Sequence, residues 1–202
     1  MKIAVLASGK GTNLQAIIDE WFEEALPVEF VGVGSDKVSA YALKRAEAAH
    51  IPTRVFPKEN YANRQEQEED ILAWFEMLGV ELLLLAGYMR VLSPEFIRRA
   101  DFPIINIHPS LLPSFPGLNA QKQAVEYGAK VSGCTVHFVD EGMDTGPVIM
   151  QEAVQVFEED SEEELAARIL KVEHKIYPQV VRLMALEKIT RKGRKVYIQR
   201  DS

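Results

Sequence analysis

Lys2-Ile3-Ala4-Val5-Leu6-Ala7-Ser8-Gly9-Lys10-Gly11-Thr12-Asn13-Leu14 decides the fold. Lys2–Ala7 is an apolar run of strand length that stops at a glycine loop. It is too short for a membrane span, and it lacks the small-residue cleavage site of a secretory leader. A continuous apolar strand belongs in a sheet buried on both faces. Beyond the loop, Leu14, Ile17, Ile18 and Trp21 recur at i, i+3, i+4 and i+7, the stripe of an amphipathic helix. Strand, glycine loop and helix in this order open a parallel α/β sheet.

The same alternation runs outward from this unit. Further strands are expected at Glu29–Ser35, Thr53–Phe56, Glu81–Ala86 and Pro103–His108. Ile71, Trp74, Phe75 and Leu78 mark a second helical stripe, and Gly79 stands where a helix-ending glycine is expected. After Gly128 the pattern changes. Val131–Val139 and Val148–Phe157 are β-branched runs joined by the short loop Asp140–Pro147, as in an antiparallel pair. Ser161-Glu162-Glu163-Glu164 is a capping box that opens a long helix with Leu165, Ile169, Val172 and Ile176 as its buried stripe. The basic stretch Lys188–Arg194 reads as a solvated end. The expected fold is α/β: a mostly parallel, Rossmann-like sheet with helices on both faces and an antiparallel C-terminal strand addition. With no repeat or Pro/Gly/Ser linker, residues 1–202 read as a single domain.

Composition narrows the function. The 202 residues are 47% hydrophobic and 26% charged, ordinary values for a globular protein. Lys and Arg number 23 against 30 Asp and Glu, a net charge of −7, so no nucleic-acid footprint is expected. No apolar run is long enough for a membrane span. Cys134 is the only cysteine, which leaves no internal disulfide and no cysteine metal cluster and fits a cytoplasmic protein.

The chemistry concentrates where strands end. On a pleated strand alternate side chains share a face, so Asn106 and His108 point together at the end of Pro103–His108, and Pro109 stops the ladder. Open α/β sheets place ligands at this carboxyl edge, and an amide beside an imidazole there looks like an acyl-transfer site. Asp144 lies in the loop Asp140-Glu141-Gly142-Met143-Asp144-Thr145-Gly146-Pro147. It is an ordinary acidic turn residue unless it reaches His108, where it would orient the ring and stabilise the imidazolium. Ser8–Asn13 is neither a dinucleotide fingerprint nor a Walker loop. Its glycines and the following helix N-terminus suit a phosphate as well as they suit a tight turn. Gly87-Tyr88-Met89-Arg90-Val91-Leu92 sits at the same edge and could wall a flat aromatic ligand or simply pack the core. His50, His137 and His174 combine into no zinc spacing, so no metal is expected.

Six segments in order resemble the folate-dependent glycinamide ribonucleotide formyltransferases of purine synthesis. They are Ser8–Asn13, Leu85–Arg90, Asn106–Pro113, Phe115-Pro116-Gly117, Asp144–Pro147, and Glu173-His174 with Ile176-Tyr177-Pro178. The resemblance spans essentially the whole chain. It implies transfer of a formyl group from 10-formyltetrahydrofolate, a cosubstrate, to the primary amine of glycinamide ribonucleotide, without a metal. It assigns Asn106, His108 and Asp144 to the chemistry. Gly11, Thr12 and Asn13 would take the phosphate and Glu173 the ribosyl-glycinamide part. Arg64, Met89, Arg90, Val91, Leu92 and Asn106 would meet the folate, together with Asp140, Glu141, Gly142, Met143 and Asp144. Within the single domain, the N-terminal half is expected to carry phosphate and ribonucleotide binding, and the C-terminal half folate binding and catalysis. One residue departs from the pattern: members of the family often carry histidine after Pro-Gly-Leu, whereas here Asn119 follows Leu118.

Relatives in function share the Asn-x-His and Asp core. A methionyl-tRNA formyltransferase would need a basic C-terminal domain, and a formyltetrahydrofolate hydrolase an N-terminal regulatory one. A non-catalytic folate- or nucleotide-binding module is the reading of a different class. Small-molecule substrates and a monomer or homodimer are expected.

Overall fold

The computed structural model describes residues 1–23 and 25–199, which fall into two compact units, Met1–Ile105 and the segment from Asn106 onward. The first unit alternates β1 (Lys2–Leu6), α1 (Thr12–Glu23), β2 (Glu29–Ser35), α2 (Tyr41–Ala48), β3 (Thr53–Val55), α3 (Arg64–Leu78), β4 (Leu82–Leu85) and α4 (Pro94–Arg99). β1 pairs in parallel with β2 on one side and β4 on the other, and β3 adds in parallel to β2. From Ile3 to Leu6 and from Leu82 to Leu85 every side chain is buried, so these strands have the two covered faces their sequence requires. A methyl group on Gly32 would come within 2.7 Å of the Trp74 ring; glycine in β2 is what lets the α3 indole approach the strand. Asn63 caps α3 by accepting from Glu66 N–H at 2.9 Å, and Gly79 ends it with a φ of 66°, as the sequence predicts.

β5 (Ile104–His108) crosses the boundary between the units. The second unit continues with α5 (Ala120–Tyr127), β6 (Val131–Phe138), β7 (Val148–Gln155), α6 (Glu162–Ala185), β8 (Ile189–Lys192) and β9 (Lys195–Ile198). β6 and β7 are antiparallel. One seven-stranded sheet runs β3-β2-β1-β4-β5-β6-β7, the mostly parallel α/β arrangement expected. The Ser161 capping box is present at the start of α6.

One expectation needs correcting. Val172 is only half-buried, and Glu173 takes its place on the buried stripe with Leu165, Ile169, Ile176 and Tyr177. A step of four from Ile169 lands on 173, so the packed row carries a carboxylate. The Lys188–Arg194 stretch is solvent-exposed from Thr190 on, as expected, and it also forms a hairpin: β8 and β9 pair antiparallel across Gly193-Arg194, with Gly193 at a φ of 62°. Glycine first in a two-residue loop is a hairpin signal that the high charge of the stretch obscured. Among the described residues no helix is long and apolar enough to cross a membrane.

Candidate active site

In the first unit, two loops leave the carboxyl ends of neighbouring parallel strands, β1 and β4, and are tied together. Ser8 N–H donates to the Gly87 carbonyl at 3.1 Å, and the Ser8 hydroxyl accepts from Met89 N–H at 2.9 Å while donating to Asp36 at 2.6 Å. Ala42 N–H donates to the Gly9 carbonyl at 3.0 Å and Arg45 to the Lys10 carbonyl at 2.8 Å, which fixes the glycine loop against α2. Gly11 has a φ of 67°, and a Cβ there would lie 2.7 Å from Ala42 Cα, so only glycine fits both the turn and the contact. α1 begins at Thr12, so the glycine loop leads directly into a helix N-terminus.

The second loop presents apolar surface. Met89 is 61% exposed and Val91 56%, whereas Leu92 is buried. Arg64 donates to Glu68 at 2.8 Å and to the Val91 carbonyl, so its guanidinium braces this loop. Glu68 also accepts from Ser93 N–H at 3.1 Å and from the Ser93 hydroxyl.

In the second unit, four side chains converge around the end of β5. His108 is buried, with Nδ1 3.4 Å from Asp144 Oδ2 and Nε2 2.8 Å from the Phe115 carbonyl. A carbonyl only accepts, so Nε2 carries a hydrogen there. Asp144 Oδ2 also accepts from Gly117 N–H at 2.8 Å, which links the Asp140–Pro147 loop to the segment that follows His108. Asp144 and Phe115 both adopt left-handed backbone, with φ of 55° and 52°. The turn between them and β5 is braced from behind. Thr135 on β6 donates to the Ser110 carbonyl at 2.6 Å and accepts from Leu112 N–H at 3.0 Å, and Gln151 donates to the Leu112 carbonyl at 2.9 Å. The Leu112–Pro113 bond is cis.

His137 is the member that sequence reasoning passed over. Its Nδ1 donates to the Phe138 carbonyl at 2.9 Å, so Nε2 presents a lone pair and accepts from Asn106 Nδ2 at 3.2 Å. Burial pushes its pKa below the ordinary 6.5, against the opposing pull of the Phe138 carbonyl and Asp144, and the neutral ring is the one this geometry needs. Held this way, Asn106 keeps its second amide hydrogen for another acceptor. The alternation of β6 gave no sign of this role, since a histidine on a buried strand face most often just fills space.

The remaining expected residues are dispersed in function. Asp140 Oδ1 accepts from the Thr145 hydroxyl at 2.6 Å and from Gly142 N–H at 3.2 Å, a brace inside its own loop, while Glu141 and Met143 are exposed. Glu173 is buried on α6. With burial as the larger cause, it helps push the Cys134 thiol up to about 12, so that cysteine is no nucleophile. Asn119, where a histidine is often found, opens α5 in left-handed conformation with a φ of 57°, which asparagine tolerates well. Among the described residues no cluster of three His, Cys, Asp or Glu could hold a metal.

A parallel α/β sheet with an oriented amide and a carboxylate-paired imidazole at a strand's end defines a group-transfer protein acting on an acyl-type centre. The chain belongs to the formyl transferase family, whose model matches residues 1–181. It is 44% identical over 197 residues to the phosphoribosylglycinamide formyltransferase of Haemophilus influenzae, covering 98% of this chain and 93% of that one. To the enzyme of the same name in Bacillus subtilis it is 46% identical, covering 90% and 93%. The crystal structure of glycinamide ribonucleotide transformylase 1 from Symbiobacterium toebii superposes with a TM-score of 0.95 at 46% identity, covering 98% of this chain and 93% of that one.

Proposed function

We propose that this protein transfers the formyl group of 10-formyltetrahydrofolate to the primary amine of glycinamide ribonucleotide, as a cytoplasmic enzyme of purine synthesis. The reading is carried by the contact of Asp144 with His108 beside an Asn106 already oriented by His137. The folate supplies a formyl group already activated on N10, so the protein needs only to orient, stabilise charge and move a proton. Asn106, through its free N–H, and His108, through Nε2–H, would donate to the oxygen that becomes an oxyanion when the amine adds to the formyl carbon. For this the formyl oxygen takes the place of the Phe115 carbonyl on Nε2. Removing one such donor typically costs about 10²–10³ in rate. Asp144, on the other ring nitrogen, would stabilise the imidazolium. The proton lost by the amine must reach N10 as that nitrogen leaves, through His108 or a water it holds.

The binding roles divide along the chain. Gly11, Thr12 and Asn13 would receive the phosphate at the start of α1, and Glu173 the ribosyl-glycinamide. Met89, Arg90, Val91 and Leu92 would meet the pterin, a fit supported by the exposure of Met89 and Val91. Asp140–Asp144 would complete the folate contacts, and Arg64 would act at the folate and by bracing Val91. The family match running through residue 181 supports one formyltransferase domain. We take it to act as a monomer or homodimer, with the phosphate of the ribonucleotide held in its N-terminal half and catalysis in its C-terminal half, Arg64 and Met89–Leu92 reaching the folate from the first half and Glu173 the ribonucleotide from the second.

The test is tetrahydrofolate release from 10-formyltetrahydrofolate with and without glycinamide ribonucleotide. Release that requires the ribonucleotide and yields its formylated product is expected. Release without it would mean a hydrolase, and binding without release a non-catalytic module.

A further inference from the structure

The loop that carries Asp144 is anchored from a direction the catalytic residues do not supply. Arg194, in the turn of the β8–β9 hairpin, donates from Nη2 to the Thr145 carbonyl at 2.8 Å, one residue past Asp144. Beside it, Arg191 places its guanidinium 6.0 Å from the centre of the Phe138 ring, at the end of the strand that leads into the loop. Arg191 Nε donates to the Gly193 carbonyl at 2.9 Å, which stiffens the turn from which Arg194 projects. The hairpin itself is closed by Gln199 N–H on the Lys188 carbonyl at 2.9 Å. The loop has internal bonds through Asp140, but Glu141, Gly142, Met143 and Thr145 are exposed, and Asp144 must hold left-handed backbone to face His108. A charged donor on the Thr145 carbonyl fixes the Thr145–Gly146 peptide, the one immediately after the Asp144–Thr145 peptide, and so limits how far the Asp144 backbone can turn. The family match ends at residue 181, before this hairpin, so the anchor lies outside the segment that defines the family.

We propose that Arg194 is a positioning residue for formyl transfer: from the C-terminal hairpin it holds Thr145 and thereby keeps the Asp144 carboxylate on His108. The inference rests on Asp144 acting through His108 as argued above. Arg194→Ala in the full chain is expected to lower kcat about 3- to 10-fold with KM for glycinamide ribonucleotide nearly unchanged, because misplacing a group slows chemistry more than it weakens remote binding. Arg194→Lys, which keeps a cationic donor, should recover most of the loss. In the Asp144→Asn background Arg194→Ala should add less than about twofold, since residues acting through one interaction are not additive. Independently of catalysis, cleavage after Glu141 by a glutamate-specific protease, followed by mass spectrometry, should be several-fold faster in Arg194→Ala than in the parent. Unchanged kcat and unchanged cleavage at Glu141 would overturn the proposal, as would a full multiplicative loss in the Asp144→Asn background. If the parent enzyme shows no ribonucleotide-dependent transfer, the functional reading fails instead, and the cleavage rates alone still decide whether Arg194 holds the loop.

Discussion

Replacing Asp144 by asparagine preserves the side chain's shape and removes its charge, which makes it the sharpest probe of the site. Oδ2 lies 3.4 Å from His108 Nδ1, and only 14% of the side chain is exposed, so little solvent screens the pair. At that separation and an effective dielectric constant of about 20, Coulomb's law sets a ceiling of roughly 5 kcal/mol for carboxylate against imidazolium. Exchange with water leaves only part of this, about 1.5–3 kcal/mol net, the range of an interaction with a charged group. At about 1.4 kcal/mol per factor of ten, turnover should fall roughly 10- to 150-fold. The amide oxygen of asparagine can still accept from Gly117 N–H, now 2.8 Å from Oδ2, so the loop keeps its tie. Steady-state kinetics of ribonucleotide-dependent tetrahydrofolate release should therefore show a lower kcat and a KM for the ribonucleotide within about twofold of the parent. An unchanged kcat at neutral pH would remove Asp144 from the chemistry. A loss appearing wholly in KM for the ribonucleotide would assign it to binding instead.

His137→Phe keeps a ring in place but removes the acceptor for Asn106, and kcat should drop roughly 2- to 10-fold, the value of one hydrogen bond; an unaltered rate would show that Asn106 orients itself. The same residue has a pH signature, because its folded pKa lies below 6.5. The unfolded chain then binds the proton first, so stability is full above about 6.5 and declines as pH falls below it. Asp144 and Asp140 oppose the shift and His108 reinforces it, but burial dominates. The melting temperature of the parent should therefore fall more between about pH 7.5 and 5.5 than that of His137→Phe, and equal slopes would contradict the neutral ring. Gly11→Ala forces a side chain into left-handed backbone and against Ala42, so KM for the ribonucleotide should rise about tenfold, from a strain of roughly 1–2 kcal/mol; a normal KM would free the loop of its phosphate role. Ser161→Ala removes the capping box of α6, which should lower the melting temperature by about 2–4 °C for a loss near 1 kcal/mol. Its kcat should not change, and a kcat effect would show that α6 couples to the site.

Much of this molecule could be read from period and punctuation. The first-unit strands are apolar runs bounded by glycine or charge, and their observed ends differ from the expected ones by a residue, as at Phe56 and Ala86. That one face of β5 carries Asn106 and His108 follows from the two-residue pleat and needs no tertiary knowledge. Asp144 is different in kind. Its distance from His108 depends on a positive φ at an L-residue and on an N–H from Gly117, 27 residues earlier, and neither leaves a local pattern.

His137 and the C-terminal hairpin were illegible for opposite reasons. His137 looked too ordinary, a polar residue alternating in an apolar strand, and its role exists only because β6 adjoins the strand of Asn106. The hairpin looked too charged, since Arg191, Lys192, Arg194 and Lys195 mask the alternation of Val196 and Ile198. Glu173 was named through the resemblance, and its burial was also legible in the spacing. The row 165, 169, 173 is a strict i, i+4 repeat along α6, and a carboxylate on such a row is buried at a cost unless it is paired or hydrogen-bonded. The general lesson is physical: chemistry carried by a strand's pleat or a helix's row is written in the spacing, while chemistry carried by loop backbone and cross-element hydrogen bonds is written in the fold. The site proposed here uses both. Its donors, Asn106 and His108, sit on the legible part, and what tunes them, Asp144, His137 and Arg194, sits on the other.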